Sequence, residues 1–311
     1  MTKTFEQVVA ELSASNLDRD CILISQGISR ELHVNLSNLL EEDKKHKKVT
    51  VFLTTRGGDP DGGYRIARCL KHHYTHIRLV IPSLCKSAGT LVAIGANELV
   101  IGDLGELGPL DIQVRKASEL EERSSGLDII QALEAAQNHA REAFHNTLLE
   151  IRRGGRLSTR LAGEFASNVA IGVAAPLYNQ IDPNRLGEMQ RAMRIALEYG
   201  QRLNRYSKAL RPGALETLVA AYPSHSFVID RKEASELFTC VQSPTKEEND
   251  FCRTLWHVLG EQSGQGPMFI RDEKQGEQND ELIEANPAGQ AEAAEPGNGP
   301  EDPAQPDGEG E

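Results

Sequence analysis

Between residues 21 and 101 the chain alternates short apolar runs with amphipathic or small-residue stretches. An apolar run of four to six residues is typical of a buried strand, whereas apolar residues three and four positions apart are typical of one helix face. The expected strands are 21–25, 49–54, 77–81 and 98–101, and the expected helices are 30–45, 64–73 and 87–97. Strands joined by helices in this order predict an α/β core with parallel strand pairing.

Longer helical periodicity replaces this alternation from about residue 119 to 221. The clearest helices are 127–151 and 186–206, and breaks are expected at the glycines after residue 153 and at 172–176, which ends in a proline. A final strand at 227–229 and a helix at 233–238 follow. The pattern therefore predicts one domain over residues 1–272 with a helical insertion at about 119–221.

The last segment, residues 273–311, differs sharply in composition from the rest. From Lys274 to Glu311, eleven acidic residues and a single lysine account for −10 of the formal net charge of −12. Because this segment has almost no large apolar residues, we expect a disordered acidic tail, which either solubilises the protein or recruits a partner. The remaining body is near neutral, which gives no reason to expect a nucleic-acid ligand.

Cysteine usage and apolar-run lengths favour a cytoplasmic protein. The chain has five cysteines, which are Cys21, Cys69, Cys85, Cys240 and Cys252. Because their number is odd and no two have a C-x-x-C spacing, a disulfide framework or a structural zinc site is not expected. The first residues lack the apolar run of a signal peptide. Charged and proline residues interrupt the longest apolar run, 79–101, so we expect no membrane span. We expect neither a metal nor a cofactor.

A serine at the junction between a strand and a helix is the first candidate for chemistry. Ser87 lies in the segment 85–90, where the amides of a helix N-terminus carry partial positive charge. Ala88 and Gly89 are small enough to let a substrate backbone approach. Since a serine that opens a helix is most often only an N-cap, this position alone does not establish a nucleophile.

A glycine pair after the preceding strand gives Ser87 a partner. Gly57 and Gly58 permit the unusual backbone angles that direct amides into a cleft. In a parallel sheet the loops after neighbouring strands lie at one edge, so we expect this loop to meet Ser87. The amides of Gly57, Gly58 and Ala88 are then candidates for an oxyanion hole, which acyl transfer requires.

These motifs resemble those of known peptidases. The segment 54–63 resembles the glycine-rich loop of the ClpP and SppA peptidases, and the segment 86–89 resembles their nucleophile motif. The segments 107–111 and 222–234 are similar to the serine dehydrogenase proteinase family, a distant ClpP relative. The resemblance covers about residues 20–240. It implies a ClpP/crotonase-like α/β spiral of parallel strands and helices.

The resemblance also implies a catalytic triad. Its members are Ser87 as nucleophile, Asp111 as orienting acid and His225 as general base. A Ser–Lys dyad of the SppA kind is the rival arrangement. Lys86 is adjacent to the serine and should point elsewhere, and no lysine occurs between residues 116 and 208, so histidine is favoured as the base.

Two functions of other classes remain open at this point. A crotonase-type acyl-CoA hydratase or isomerase would use the same paired amides with a carboxylate base, for which Asp103 and Glu106 are available. A catalytically silent scaffold is the other alternative. For the favoured peptidase we expect a peptide or protein substrate and a homo-oligomer, whereas a separate ATPase partner is undetermined.

Overall fold

The computed structural model describes residues 3–110, 114–115, 123–124, 126–154, 157–180, 182–224 and 226–272. Its centre is a six-stranded sheet formed by β1 (Arg19–Ser25), β2 (Lys48–Thr54), β3 (His76–Ile81), β5 (Glu98–Ile101), β9 (Val241–Gln242) and β10 (Gln265–Phe269). The strand order is β10-β1-β2-β3-β5-β9. All neighbours pair in parallel except β10, which is antiparallel to β1. The predicted parallel α/β core is confirmed.

Helices cover both faces of the sheet, which explains why the central strands are almost continuously apolar. One face packs against α2 (Arg30–Asp43), α3 (Pro60–His73) and α4 (Ala88–Gly95), and the other against α1 (Phe5–Ser15), α10 (Lys246–Thr254) and α11 (Trp256–Leu259). Alternate residues of a strand point to opposite faces. Accordingly, Ile22 belongs to the first core cluster, whereas Leu23 and Phe52 belong to the second, where Phe52 lies 4.7 Å from the ring of Phe251.

Helix α3 begins earlier than the apolar periodicity predicted. It starts at Pro60 and not at Tyr64, because Asp59 caps it by accepting the Asp61 N–H at 3.0 Å. Proline at the first helical position is favourable, since its missing N–H would have no partner there. The glycine-rich stretch is thus partly loop and partly the first turn of α3.

The helical insertion consists of α5 (Gly126–Gly154), α6 (Thr159–Tyr178) and α7 (Pro183–Ser207). α5 and α6 pack as a hairpin, while α7 packs on α4 and α3. The predicted break at 172–176 is wrong, since α6 continues through Pro176. A proline removes one helical N–H···O bond, and here the helix ends two residues later, so little of it is disrupted.

Shorter elements complete the described chain. They are β4 (Leu84–Cys85) paired with β6 (Glu106–Leu107), β7 (Val114–Arg115) paired with β8 (Arg123–Ser124), α8 (Ala214–Glu216), a π-helical turn (Thr217–Ala221) and α9 (Arg231–Leu237). Of the strand expected at 227–229, Ile229 alone forms a β-bridge, to Leu107. No described helix is long and apolar enough to cross a membrane. The tail predicted at 273–311 lies outside the described residues.

Candidate active site

Ser87 occupies a strained turn between β4 and α4. Its backbone has φ 50° and ψ −113°, and its side chain makes no capping hydrogen bond to the helix. Ser29, by contrast, caps α2 by accepting the Leu32 N–H at 3.0 Å. A non-glycine residue in such a conformation costs roughly 1–3 kcal/mol, and strain of this kind concentrates at functional sites. Sharp strand-to-helix turns also present the nucleophilic serine of other hydrolases. An ordinary N-cap therefore does not explain Ser87.

The glycine loop lies directly against Ser87, as the sheet topology predicted. Gly57 has φ 98°, and a Cβ built on it would lie 2.8 Å from the Ser87 Cβ and 2.9 Å from the Lys86 carbonyl oxygen. Gly58 has φ 146°, and its Cβ would lie 2.1 Å from the Ile28 carbonyl oxygen. Both positions therefore require glycine, because a side chain would collide with backbone on either side of the loop.

Two of the three predicted oxyanion donors have amides without a hydrogen-bond acceptor among the described residues. The Gly57 N–H donates to Thr55 Oγ1 at 3.1 Å, so it is already engaged. Within the described part of the chain, the amides of Gly58 and Ala88 have no hydrogen-bond acceptor. The built Cβ of Gly57 lies 3.4 Å from the Ala88 nitrogen, which brings the loop and the helix N-terminus together.

Backbone pairing holds the loop in place from both sides. The Thr55 N–H donates to Leu84 at 2.8 Å and the Lys86 N–H donates to Thr55 at 3.0 Å. On the other side, the Ile28 N–H donates to Gly57 and the Asp59 N–H donates to Ile28, both at 2.9 Å. The segments that follow β1, β2 and β3 are thus joined at one edge of the sheet.

Lys86 points away from Ser87, as expected from its adjacent position. Its Nζ lies 2.8 Å from Glu106 Oε1 and donates to the carbonyl oxygens of Leu107 at 3.3 Å and Phe227 at 3.1 Å. Leu107 and Ile229 exchange two further hydrogen bonds of 3.0 Å. The Lys86 side chain therefore joins the segment before residue 111 to the segment after residue 225.

The other two predicted triad members, Asp111 and His225, lie outside the described residues. The chain is described up to Leu110 and on both sides of His225. The Leu110 N–H donates to Leu218 at 2.8 Å, and the ring of Phe227 lies 4.9 Å from that of Tyr222. Both flanking segments contact Lys86, the residue next to Ser87, whereas the triad itself stays a prediction.

The described neighbours do not offer a competing nucleophile or an unpaired carboxylate. Complete burial raises the pKa of the Cys85 thiol to about 12, which keeps it protonated near neutral pH. Glu106 is paired with Lys86. Asp103, whose side chain is 83 % exposed, pairs with Arg231 at 2.9 Å. Neither carboxylate is placed as a free base beside the glycine loop.

The sequence analysis missed two residues that hold the loop. Thr55 hydrogen-bonds to Gly57, and Gln262 accepts the Arg56 N–H at 2.9 Å through its side-chain oxygen. Thr55 could have been suspected, because a hydroxyl two residues before an amide commonly accepts its hydrogen bond. Gln262 has no local signal, since it lies 206 positions from its partner.

Part of the chain is similar in sequence to a known protein family. Residues 36–139 match the family described as ClpP-like SDH-type serine proteinase. This match confirms the resemblance to the serine dehydrogenase proteinases over the glycine loop and Ser87. It includes position 111 and ends before position 225.

One curated relative and two solved structures are also similar. An uncharacterized protein of Methanocaldococcus jannaschii is 33 % identical over 70 residues, which is 22 % of this chain and 24 % of that protein. The chain thus spans about a quarter of the length of that relative. A variant of the 1510-N membrane-bound stomatin-specific protease is 14 % identical, with a TM-score of 0.29 over 50 % of this chain and 75 % of its own. ClpP1 from Listeria monocytogenes is 17 % identical, with a TM-score of 0.26 over 50 % of this chain and 86 % of its own.

Proposed function

We propose that this chain is a serine peptidase that hydrolyses peptide bonds through an acyl-enzyme on Ser87. The observation that carries the proposal is the strained turn at Ser87, with the Gly57 backbone against its Cβ and the unengaged Gly58 and Ala88 amides beside it. A serine on a strained turn next to preorganised donors is the arrangement that acyl transfer needs. The match of residues 36–139 to a serine proteinase family supports the same activity.

The proposed reaction has two stages. In the first, Ser87 Oγ attacks the carbonyl carbon of the scissile bond while its proton passes to His225, whose orientation Asp111 fixes. The Gly58 and Ala88 amides donate to the oxyanion of the tetrahedral intermediate. Its collapse breaks the C–N bond, and His225 returns the proton to the leaving amine. In the second, water attacks the acyl ester with the same base, which releases the carboxylic acid and restores Ser87.

The contacts of Lys86 support a histidine base over a lysine base. Its ammonium group is held by Glu106 and two carbonyl oxygens, so it has no path to accept the Ser87 proton. The same contacts join the segment before Asp111 to the segment after His225 at Lys86, the residue that precedes Ser87. This convergence is the structural support for assigning the acid and the base to those two residues.

Labelling with a fluorophosphonate probe tests the proposal. Wild type should be modified at Ser87, as mapped by mass spectrometry, whereas Ser87→Ala and His225→Ala should not react. His139→Ala, an exposed histidine of α5, is the matched control and should react at the wild-type rate. A folded wild-type protein without an adduct on Ser87 would overturn the peptidase assignment and return weight to a scaffold function.

The acyl-CoA hydratase alternative has less support. That chemistry needs a carboxylate base in the cleft, and both candidate carboxylates are held in ion pairs, Glu106 with Lys86 and Asp103 with Arg231. Saturable binding of an acyl-CoA to the Ser87→Ala protein, combined with no fluorophosphonate labelling of wild type, would favour it.

Self-association through α6 is part of the proposal. Over residues 165–178 the helix carries no charge, and Phe165, Val169 and Ile171 are 49 %, 44 % and 64 % exposed. A run of exposed large apolar side chains marks an interaction surface, and a second copy of the chain is the occupant proposed. Light scattering after size-exclusion chromatography should give an oligomer for wild type and a smaller species for Ile171→Glu. A monomeric wild type would contradict this.

A further inference from the structure

A short segment near the C-terminal end of the described chain lies across the edge of the sheet that carries Ser87. Residues 258–262, which we call the clasp, begin in the last turn of α11 and continue past its end. The last carbonyl groups of a helix have no partner within the helix, so they must find donors elsewhere. In the clasp these donors come from the sheet.

Three side-chain hydroxyls from the ends of three parallel strands donate to clasp carbonyl oxygens. Ser25, the last residue of β1, shares its single O–H between the carbonyl oxygens of Val258 at 2.5 Å and Glu261 at 3.1 Å. Thr54, the last residue of β2, donates to Leu259 at 2.8 Å, and Ser83, shortly after β3, donates to Gly260 at 2.6 Å. Ser25 and Thr54 are completely buried and Ser83 is 9 % exposed. Buried hydrogen bonds of this kind fix the clasp, because separating them would leave polar groups without partners.

The clasp places the side chain of Gln262 on the glycine loop. Its Oε1 accepts the N–H of Arg56 at 2.9 Å, directly before Gly57 and Gly58. The same side-chain amide lies beside Gly27, where a built Cβ would be 3.5 Å from Nε2. Within the described chain, this is the hydrogen bond that holds the Arg56 amide.

This contact matters because the loop that it holds contains two adjacent glycines, whose backbone angles are the least restricted by their own side chains. Gly57 and Gly58 both have positive φ, and glycine has more accessible backbone conformations than any other residue. A donor to an oxyanion must be held within about 0.5 Å of its productive position. Thr55 and Ile28 fix the Gly57 peptide, and Gln262 fixes the peptide before it.

We propose that Gln262 is a positioning residue for the oxyanion loop, and that the clasp is the element that delivers it. This inference rests on the proposed function, since it assigns Gln262 a role through the Gly58 amide in chemistry at Ser87. The residue lies outside the family match at 36–139, so the match does not assign it.

The test measures fluorophosphonate labelling of Ser87 in the full chain as a function of pH. The phosphoryl oxygen of the adduct occupies the oxyanion position, so the labelling rate reports the quality of the hole. Gln262→Leu should lower the plateau rate about tenfold, which is less than the roughly 10²–10³-fold effect of losing a donor itself. The midpoint of the pH profile should not move, because the base is untouched. Gln262→Glu keeps an acceptor for the Arg56 N–H and should label within about twofold of wild type.

Gln26→Leu is the matched control. Gln26 donates to the Gly266 carbonyl oxygen, so its replacement removes a glutamine hydrogen bond to the same C-terminal region without touching the glycine loop. It should label at the wild-type rate. Amide hydrogen exchange gives a second readout that is independent of chemistry, and Arg56 should exchange faster in Gln262→Leu than in Gln262→Glu.

The outcomes separate the two proposals. If wild type labels at Ser87 and Gln262→Leu labels equally fast, the positioning role is wrong and the peptidase assignment stands. A shifted pH midpoint in Gln262→Leu would also overturn it, because the residue would then act on the base. If wild type does not label, the proposed function fails and the role of Gln262 fails with it.

Discussion

Replacing Gly57 by alanine puts a methyl group at the contact between the glycine loop and Ser87. The new Cβ would lie 2.8 Å from the Ser87 Cβ and 2.9 Å from the Lys86 carbonyl oxygen. Both distances are below any normal carbon contact, and both neighbours are fixed to backbone. The loop must therefore move by several tenths of an ångström, which displaces the neighbouring Gly58 amide.

Gly57→Ala should lower both the free energy of unfolding and the labelling rate at Ser87, for different physical reasons. Alanine at the Gly57 φ of 98° adds roughly 1–2 kcal/mol of backbone strain. For a domain of this size that corresponds to a melting-temperature decrease of about 2–4 °C per kcal/mol. Displacement of an oxyanion donor should lower the labelling rate at Ser87 by at least about tenfold, toward the roughly 10²–10³-fold effect of losing one donor.

Gly213→Ala provides the matched control. Gly213 also has a positive φ, 79°, but a Cβ built there meets nothing within 4 Å. This variant should lose only the stability that backbone strain costs, measured by thermal unfolding, without the added cost of the contact at Gly57, and its rate of fluorophosphonate labelling should be unchanged. If Gly57→Ala labels as fast as Gly213→Ala, then the close approach of loop and serine has no part in reactivity, and the oxyanion assignment is refuted.

Three further predictions concern two ion-pair and hydrogen-bond contacts that stabilise the fold and the role of Lys86. Tyr199→Phe removes the 2.7 Å hydrogen bond that most strongly lowers the pKa of Asp61. It should reduce stability by about 1 kcal/mol near pH 7. The difference should be retained above about pH 4 and shrink as pH falls through the lowered pKa, since the bond stabilises the ionised carboxylate. Urea unfolding across pH checks this, and a difference that grows at low pH would contradict it. Glu248→Ala removes the 2.7 Å ion pair with Arg78, which keeps Glu98 at 2.5 Å as its other carboxylate partner, and should cost about 1.5–3 kcal/mol by urea unfolding. A loss below about 1 kcal/mol would show that the pair with Glu248 is not a structural element. Lys86→Met should slow labelling of Ser87 without moving the midpoint of its pH profile, and a shifted midpoint would instead identify the lysine as the base.

The sequence by itself determined the parallel α/β core and the approach of the glycine pair to Ser87. Apolar runs such as β2 and β3 are recognisable because most positions of a strand that is buried on both faces are apolar. Once the strands are parallel, the loops that follow them must lie at one edge. The sheet topology therefore predicted that the glycine loop approaches Ser87, without any knowledge of side-chain packing.

Apolar periodicity wrongly predicted the start of α3 and a break within α6, because hydrogen-bond partners of single backbone groups set these boundaries. The start of α3 depends on the Asp59 cap and not on the first apolar residue. Helix α6 continues through Pro176 because the lost hydrogen bond falls close to its end. Apolar periodicity responds to burial, whereas a helix boundary responds to the partners of a few backbone groups.

Only the tertiary structure showed which polar groups around Ser87 already have a hydrogen-bond or ion-pair partner. The Gly57 amide is occupied by Thr55, the Lys86 ammonium is held by Glu106 and two carbonyl oxygens, and both candidate carboxylates are paired. The contact between Gln262 and Arg56 joins positions 206 residues apart. Sequence patterns describe neighbours along the chain, whereas hydrogen bonds depend on which chain segments the fold brings within about 3 Å of each other.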